Sequence, residues 1–369
     1  MVKVCHMTSV HAPEDERIFF KECMSLAANG YETYLVARGN SYEKNGVHII
    51  GVGELPRSRR KRMTEGAKKV YEAARAVDAD IYHFHDPELL PYGLKLKKAG
   101  KKVIFDSHED TAQQIMEKTW IPAIIRVPTY HAFASYQRHI CRQLDAVISV
   151  TPHICDSFRP FSKRVKMITN YPGLEPLPDR SSSRPNTLCF AGGIAEQWCH
   201  QEILSALERC PDSTYVLCGD LDSDYGQALR QMPGWKQVEY VGRIPHEQVH
   251  MLLGNCSVGM SLLKPGRNTG FQLGTMGNTK IFEEMMAGLP IICTNFILWK
   301  EFVERCHCGI CVDPSNVDEI VNAIRYLLDH PDEARQMGEN GRRAVKEEFN
   351  WGVEEKKLLA LYEAILNEK

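Results

Sequence analysis

Asn278-Thr279-Lys280-Ile281-Phe282-Glu283-Glu284-Met285-Met286-Ala287-Gly288-Leu289-Pro290-Ile291-Ile292 reads as a helix entered from a loop that carries Gly274 and Gly277. Ile281, Met285 and Met286, at i, i+4 and i+5, give this helix one apolar face. Gly288 can end it with φ > 0, and Pro290 cannot continue it. Ile291-Ile292-Cys293 then follows at once as a strand of the buried type. Glu283 falls in the first turns, where a carboxylate is tolerated. From this stretch alone, an ordinary amphipathic helix with a solvated Glu is the alternative. The rest of the chain decides between them by whether such junctions recur.

They do recur. Around this helix, strand-like runs lie near 188–191, 214–218, 237–241, 257–261, 290–293 and 309–312, with helical segments between them and again at about 317–328 and 332–347. Toward the N-terminus a second series alternates in the same way, with strands near 2–7, 33–36, 47–50, 79–84, 102–105, 146–150 and 166–168. Strands separated by helices of ten or more residues mark a parallel sheet covered on both faces. Thr151-Pro152 reads as an N-cap followed by a first-turn proline. The Pro- and Ser-rich run from Pro172 to Pro185 is the best linker. The expected organisation is an N-terminal domain at 1–172, a linker at 173–186 and a C-terminal domain at 187–347. An amphipathic helix at 348–369 is expected to cross back to the first domain. Two doubly wound α/β domains imply a cleft facing the carboxyl ends of both sheets.

Composition narrows the class. At 369 residues the chain exceeds what one core usually serves. With 43% hydrophobic and 25% charged residues and a formal net charge of −2, it has the balance of a globular protein and no general affinity for nucleic acid. No run approaches 18 apolar residues, and Met-Val-Lys-Val-Cys-His-Met enters a strand without a leader. The 13 cysteines, an odd number scattered through expected core elements, suit a reducing cytoplasm. Cys306, His307, Cys308 and Cys311 are crowded enough to test as a metal site, but no second paired cluster accompanies them, so they read as a turn into a strand. Ala191-Gly192-Gly193 is too short for a dinucleotide fingerprint, and the absence of a P-loop argues against an ATPase.

With these junctions the chain resembles the GT-B glycosyltransferases of family 4, or group 1, which are retaining enzymes dependent on nucleotide sugars. The resemblance rests on His11 through Glu22, His83-Phe84-His85-Asp86-Pro87-Glu88, Asp106-Ser107-His108-Glu109-Asp110 and Thr169-Asn170-Tyr171-Pro172. In the second half it rests on Ala191-Gly192-Gly193-Ile194, Val241-Gly242-Arg243-Ile244-Pro245 and Lys280-Ile281-Phe282-Glu283. It implies a GT-B fold and glycosyl transfer from a nucleotide-diphosphate sugar to a glycan or polyprenyl-linked saccharide, in surface polysaccharide biosynthesis. The nucleotide sugar is then a substrate, and neither cofactor nor metal is required. The same fold serves nucleotide-sugar 2-epimerases, and a non-catalytic sugar-nucleotide binding protein or scaffold is a further alternative.

The resemblance implies roles residue by residue. Glu283 is similar to the Glu that binds the donor ribose, where a carboxylate can accept both hydroxyls of a cis-diol. The family often has a second carboxylate eight residues earlier; here that position is Thr275. Lys280 is expected near the donor phosphates, or paired with Glu284 at i, i+4. The Arg and Lys that many relatives carry after the first C-domain strand are missing. Gly193, Arg243, Lys264 and Arg267 are the donor-binding candidates in their place, the last two in a Gly-rich loop whose backbone can wrap an anion. In the N-terminal domain His85, Asp86, His108 and Glu109 are the catalytic candidates. Asp86 and Glu109 have helix capping as the alternative. His11 and Asp15 are the acceptor-side candidates, with Arg17 holding their loop. Retention would follow from a same-face attack in which the leaving phosphate takes the acceptor proton.

Arg57, Arg59, Arg60, Lys61 and Arg62 form a basic run, and Trp120, Ile121, Ile124 and Ile125 an apolar, Pro-bounded segment. Together they suggest peripheral contact with an anionic membrane on its cytoplasmic face. A solvated helix start and a core or dimer contact are the alternatives. No nucleic-acid module is present, and nothing in the sequence fixes the oligomeric state.

Overall fold

The computed structural model describes residues 1–118, 120–176, 178 and 184–368, the side chain of His246 excepted. The chain forms two compact units, Met1–Asn170 with Gly352–Lys369 and Tyr171–Trp351. Of the expected linker at 173–186, residues 177 and 179–183 lie outside the described residues. The described part is tied to the second unit: Arg342 donates to the Glu175 carbonyl at 2.8 Å, and the Arg184 amide to the Asn255 carbonyl at 3.0 Å.

The first unit holds strands β1 (Lys3–Met7), β2 (Glu32–Ala37), β3 (Tyr42–Lys44), β4 (Val47–Gly51), β5 (Ile81–Phe84), β6 (Lys102–Ser107), β7 (Ala146–Ser149) and β8 (Val165–Met167). Their order in the sheet is β3-β4-β2-β1-β5-β6-β7-β8, with every pairing parallel except β3–β4. β5 is buried at all four positions, because helices cover both faces and leave no polar side to alternate with. The antiparallel edge strand β3 is absent from the sequence reading. Its residues Tyr42, Glu43 and Lys44 are largely exposed, so no apolar period announces them. The helix Trp351–Leu366 packs on this unit through Leu358, Leu361, Tyr362 and Ile365, all essentially buried.

The second unit holds β9 (Thr187–Ala191), β10 (Thr214–Cys218), β11 (Val238–Gly242), β12 (Val258–Ser261), β13 (Ile291–Thr294) and β14 (Gly309–Val312), in the order β11-β10-β9-β12-β13-β14, all parallel. The helix Thr279–Met286 lies between β12 and β13. Its N-cap Asn278 accepts from the Lys280 amide at 3.2 Å, and Gly288 follows its end at φ +75°. Ile281, Phe282, Met285 and Met286 are buried in the core. Thr151, read as an N-cap, makes no side-chain capping bond; its hydroxyl lies 3.4 Å from His153 Nδ1 instead.

Both sheets have a point where the chain reverses its direction of winding. In the first it falls between β1 and β5, in the second between β9 and β12. Loops leaving adjacent strands at such a point diverge and open a crevice at the carboxyl ends.

Candidate active site

At the switch point of the second unit, the loop after β9 meets the loop after β12: the Lys264 amide donates to the Gln197 carbonyl at 2.8 Å. Lys280 reaches this corner from the helix behind it. Its Nζ lies 4.5 Å from the Trp198 ring centroid and 5.9 Å from that of Phe190. A Cβ on Gly192 would stand 1.9 Å from Lys280 Cε, so only glycine leaves room for the lysine stem. Burial lowers the Lys280 ammonium below its usual range, against the pull of the Glu283 and Glu284 charges. Glu283 is half-buried one turn along. Glu284 is fully buried and accepts from Ser261 Oγ at 2.8 Å; burial pushes its carboxyl up to about 8. It is therefore a core group rather than an exposed partner for Lys280.

The remaining donor-side candidates separate. Gly193 is exposed beside Gly192 after β9. Lys264 pairs with Glu202 at 3.3 Å and Glu196 at 3.5 Å, and Arg267 lies over the Phe271 ring at 5.9 Å. Thr275 shapes its own loop: its hydroxyl accepts from the Gly277 amide at 3.1 Å and its carbonyl from Trp299 Nε1 at 2.6 Å. Arg243 is exposed just past the edge strand β11, two strands from β9.

The Gly192–Lys280 contact gives a direct expectation. Gly192→Ala displaces the lysine tip, and at φ +155° it also strains the loop after β9. Loss of one charge-assisted hydrogen bond to a bound diphosphate corresponds to roughly tenfold weaker binding. Titration of nucleoside diphosphates should read that loss, with a somewhat lower thermal midpoint from the strained backbone. Equal affinity would place the Lys280 ammonium away from the ligand.

In the first unit, residues after β1, β5 and β6 converge. Asp15 caps the helix Glu16–Cys23, accepting from the Arg17 and Ile18 amides at 3.0 Å each. This helix is wound wide, with the Phe20 amide reaching the Asp15 carbonyl at 3.3 Å, a winding frequent at functional sites. The other Asp15 oxygen accepts from His11 Nδ1 at 3.0 Å. Asp86 was read with capping as one alternative, but it makes no side-chain capping bond. Its Oδ2 accepts from Thr8 Oγ1 at 2.8 Å and from the Ser9 amide at 2.6 Å, and its Oδ1 lies 3.7 Å from His11 Nε2. Asp86 thus fastens the β1 loop to the β5 loop.

His85 sits deeper than a sugar-contacting residue would. Its side chain is fully buried, with Nε2 at 3.0 Å from His6 Nδ1 and Nδ1 at 3.2 Å from His108 Nε2. Both ring nitrogens are engaged inside the unit. Burial lowers its pKa to about 4, against the Asp106 hydrogen bond, so the ring is neutral near pH 7. His108 is half-buried, and its Nε2 lies 3.1 Å from Asp106 Oδ2. Glu109 is exposed, and Gln114 donates to it. Arg17, expected to hold the β1 loop, instead lies buried below it. Its Nε donates to Asp106 at 2.8 Å, and its Nη2 lies 3.0 Å from Glu22. Burial works against the Asp106 carboxylate, but Arg17 and His108 outweigh it and hold the group well below the usual range.

His11 and Asp15 also set a pH window. Burial lowers His11, but the Asp15 hydrogen bond and the Asp86 charge outweigh it and raise the net value above 6.5; Asp15 is held below its usual 3.8. A raised histidine stabilises fully below its ordinary pKa and loses that contribution as pH rises through the raised one. A depressed carboxylate stabilises above its ordinary pKa and loses that as pH falls through the lowered one. The pair therefore contributes most between about pH 4 and 6.5. The stability difference between wild type and His11→Gln should be about 1 kcal/mol there and shrink toward pH 9, read from urea midpoints.

The sequence reading missed His6, Glu22, Asp106 and Trp198. Glu22 had a signal: it lies four residues after Ile18, on the face that Ile18, Phe19, Cys23 and Leu26 bury, so a charge there needs a partner. Cys306, His307, Cys308 and Cys311 do not gather as a ligand set among the described residues, whereas His6, Glu22, His83 and His85 do.

The fold is that of a glycosyltransferase. The family described as group 1 glycosyl transferases matches residues 178–344, and the one described as glycosyltransferase family 4 matches residues 16–174. This chain belongs to the group 1 glycosyltransferases and has the GT-B fold. It is 21% identical to the D-rhamnosyltransferase WbpZ of Pseudomonas aeruginosa, over 94% of this chain and 92% of that one. It is 32% identical to the MMP alpha-(1->4)-mannosyltransferase of Mycolicibacterium hassiacum, over 32% of this chain and only 26% of that relative. Among solved structures, Anabaena HepE in complex with UDP and glucose aligns with TM-score 0.75 and 13% identity, covering 99% of this chain and 100% of that one. WaaG, a glycosyltransferase involved in lipopolysaccharide biosynthesis, aligns with TM-score 0.69 and 14% identity, covering 98% and 99%. No helix among the described residues is long and apolar enough to cross a membrane.

Proposed function

We propose that this glycosyltransferase moves a sugar from a nucleoside-diphosphate donor to a glycan or lipid-linked saccharide in surface polysaccharide assembly, with retention at the anomeric carbon. The observation that carries the donor assignment is the corner at the β9/β12 switch point, where Lys280 is threaded past Gly192 and Glu283 follows one turn later. A carboxylate there suits a ribose diol, and an ammonium one turn earlier suits a diphosphate. The UDP and glucose in HepE, and the biosynthetic role of WaaG, support the same reading. No pair of carboxylates is needed if the leaving phosphate takes the acceptor proton. The enzyme then positions the acceptor and stabilises the leaving diphosphate. His11, with its net raised pKa, and the half-buried His108 are the groups offered to an acceptor hydroxyl.

Acceptor delivery from a membrane has its own support. Arg57, Arg59, Arg60 and Lys61 are exposed, whereas Arg62 turns toward Glu88, 3.7 Å away. The Arg59 guanidinium lies 4.9 Å from the Trp120 ring centroid, and Ile124 is 87% exposed, while Ile121 is buried. A basic group stacked on an exposed indole beside bare isoleucine suits an anionic lipid surface. The test is release of nucleoside diphosphate from a panel of sugar donors, with lipid-linked acceptors in phosphatidylglycerol vesicles. Turnover with one donor supports the reading, and none with any donor overturns it. Arg59→Ala with Trp120→Ala should weaken vesicle binding by roughly tenfold and leave donor binding unchanged.

A further inference from the structure

We propose that His6, Glu22, His83 and His85 hold a divalent transition-metal ion of the zinc class inside the first unit. The four side chains are fully buried and come from β1, the helix Glu16–Cys23, and β5 with the residue that follows it. One ligand atom from each lies within 4.8 Å of all the others. Glu22 Oε2 stands 3.7 Å from His6 Nδ1, 3.8 Å from His83 Nδ1 and 3.9 Å from His85 Nε2. These separations exceed a hydrogen bond, and Oε2 makes none. Ligands about 2.0–2.2 Å from a tetrahedral ion are roughly 3.3–3.6 Å apart. The three nitrogens and the oxygen therefore surround a point that one ion fills once the four side chains draw in around it. Entry of the ion replaces the His6–His85 hydrogen bond of 3.0 Å and the 2.8 Å bond between His83 Nδ1 and the Tyr362 hydroxyl, which keeps its contact with His6.

The groups behind the ligands are arranged as an outer shell. The second nitrogen of His6 lies 3.2 Å from the Tyr362 hydroxyl, and that of His85 lies 3.4 Å from Asp106 Oδ2. Glu22 Oε1 faces Arg17 Nη2 at 3.0 Å. Such contacts fix the ring orientation and the basicity of metal ligands. Arg17 already neutralises Asp106, and a dication gives Glu22 Oε2 a partner of its own. Three imidazoles and one carboxylate suit zinc or its neighbours rather than calcium or magnesium. Four protein ligands close the site, so its role is structural: it clamps β1, β5 and the helix between them, and through Tyr362 the C-terminal helix.

Metal content of the untagged full-length chain, dialysed against a weak chelator, tests this. About one equivalent of zinc-class metal per chain is expected. Glu22→Gln and His83→Gln should each fall below about a tenth of that, while His48→Gln, which removes an exposed imidazole, retains it. If either core variant fails to fold, the wild type decides by itself: after stripping, cobalt(II) should give the intense visible bands of a four-coordinate ion and raise the thermal midpoint. Wild-type protein that is isolated without metal and shows neither response overturns the proposal. So does cobalt binding that folded Glu22→Gln and His83→Gln retain.

Discussion

Glu283→Ala is expected to lower kcat/KM for the sugar donor by about a hundredfold or more, with little change in stability. Glu283 lies on the helix Thr279–Met286. Its apolar face fixes it against the core, so Glu283 is presented from a rigid element on the opposite side. A carboxylate bound to two ribose hydroxyls makes two charge-assisted hydrogen bonds, each worth about 1.5–3 kcal/mol. Losing them while water takes part of their place leaves a net cost of about 3 kcal/mol, which is the stated rate loss. The donor KM should carry most of the change, because the ribose does not react. Since Glu283 is only half-buried, its removal leaves no cavity. A variant that keeps wild-type kcat/KM would remove Glu283 from the donor site. Glu284, its neighbour, predicts the reverse pattern: it is fully buried against Ser261, so its replacement should change stability first.

Arg17→Met should be the most destabilising single change in the first unit, at about 3–5 kcal/mol. Arg17 is 4% exposed and lies between two fully buried carboxylates, Asp106 at 2.8 Å and Glu22 at 3.0 Å. Removing the shared cation leaves both carboxyl groups uncompensated, which is the costly way to break a buried pair. The thermal midpoint should fall by on the order of 10 °C. Arg17→Lys should recover little of it, because an ammonium cannot address two carboxylates in the planar fork of a guanidinium. A loss below about 1 kcal/mol, read by denaturant titration, would show that the two acids are neutral without it.

The fold was legible because both sheets, the β3–β4 edge pair apart, are parallel and covered. Ile81-Tyr82-His83-Phe84 and Ile291-Ile292-Cys293-Thr294 are buried at every position, so they stand out as short apolar runs between helices. Gly288 and Pro290 marked the end of the central helix by local backbone chemistry, whereas the Asn278 cap at its start emerges only in the structure. β3 was not legible, since an exposed edge strand needs no apolar residues. The role of Thr151 was misread for a similar reason: the right residue type stands at the helix start, but its hydroxyl faces His153.

Site legibility followed the same division. Glu283, Lys280, His11 and Asp15 lie in contiguous motifs, so the sequence alone names them as candidates together with their neighbours. His85 was found as a residue, but its surroundings were not. What surrounds it is His6 from β1, Glu22 from the next helix and Asp106 from β6, and no spacing rule links positions on three separate elements. Lys264 is a phosphate candidate by its loop alone, and its partners Glu202 and Glu196 lie more than 60 residues earlier, beyond any local rule. Local sequence shows which residues carry chemistry; the packing of distant segments decides which of them face a substrate.

Calorimetric titration of UDP, GDP and ADP into the wild type and Glu283→Gln tests the central claim most directly. One of the three should bind the wild type at one site per chain, and Glu283→Gln should weaken it without altering the fold. Binding of none, or equal binding to both proteins, would contradict the donor site described at the β9/β12 corner.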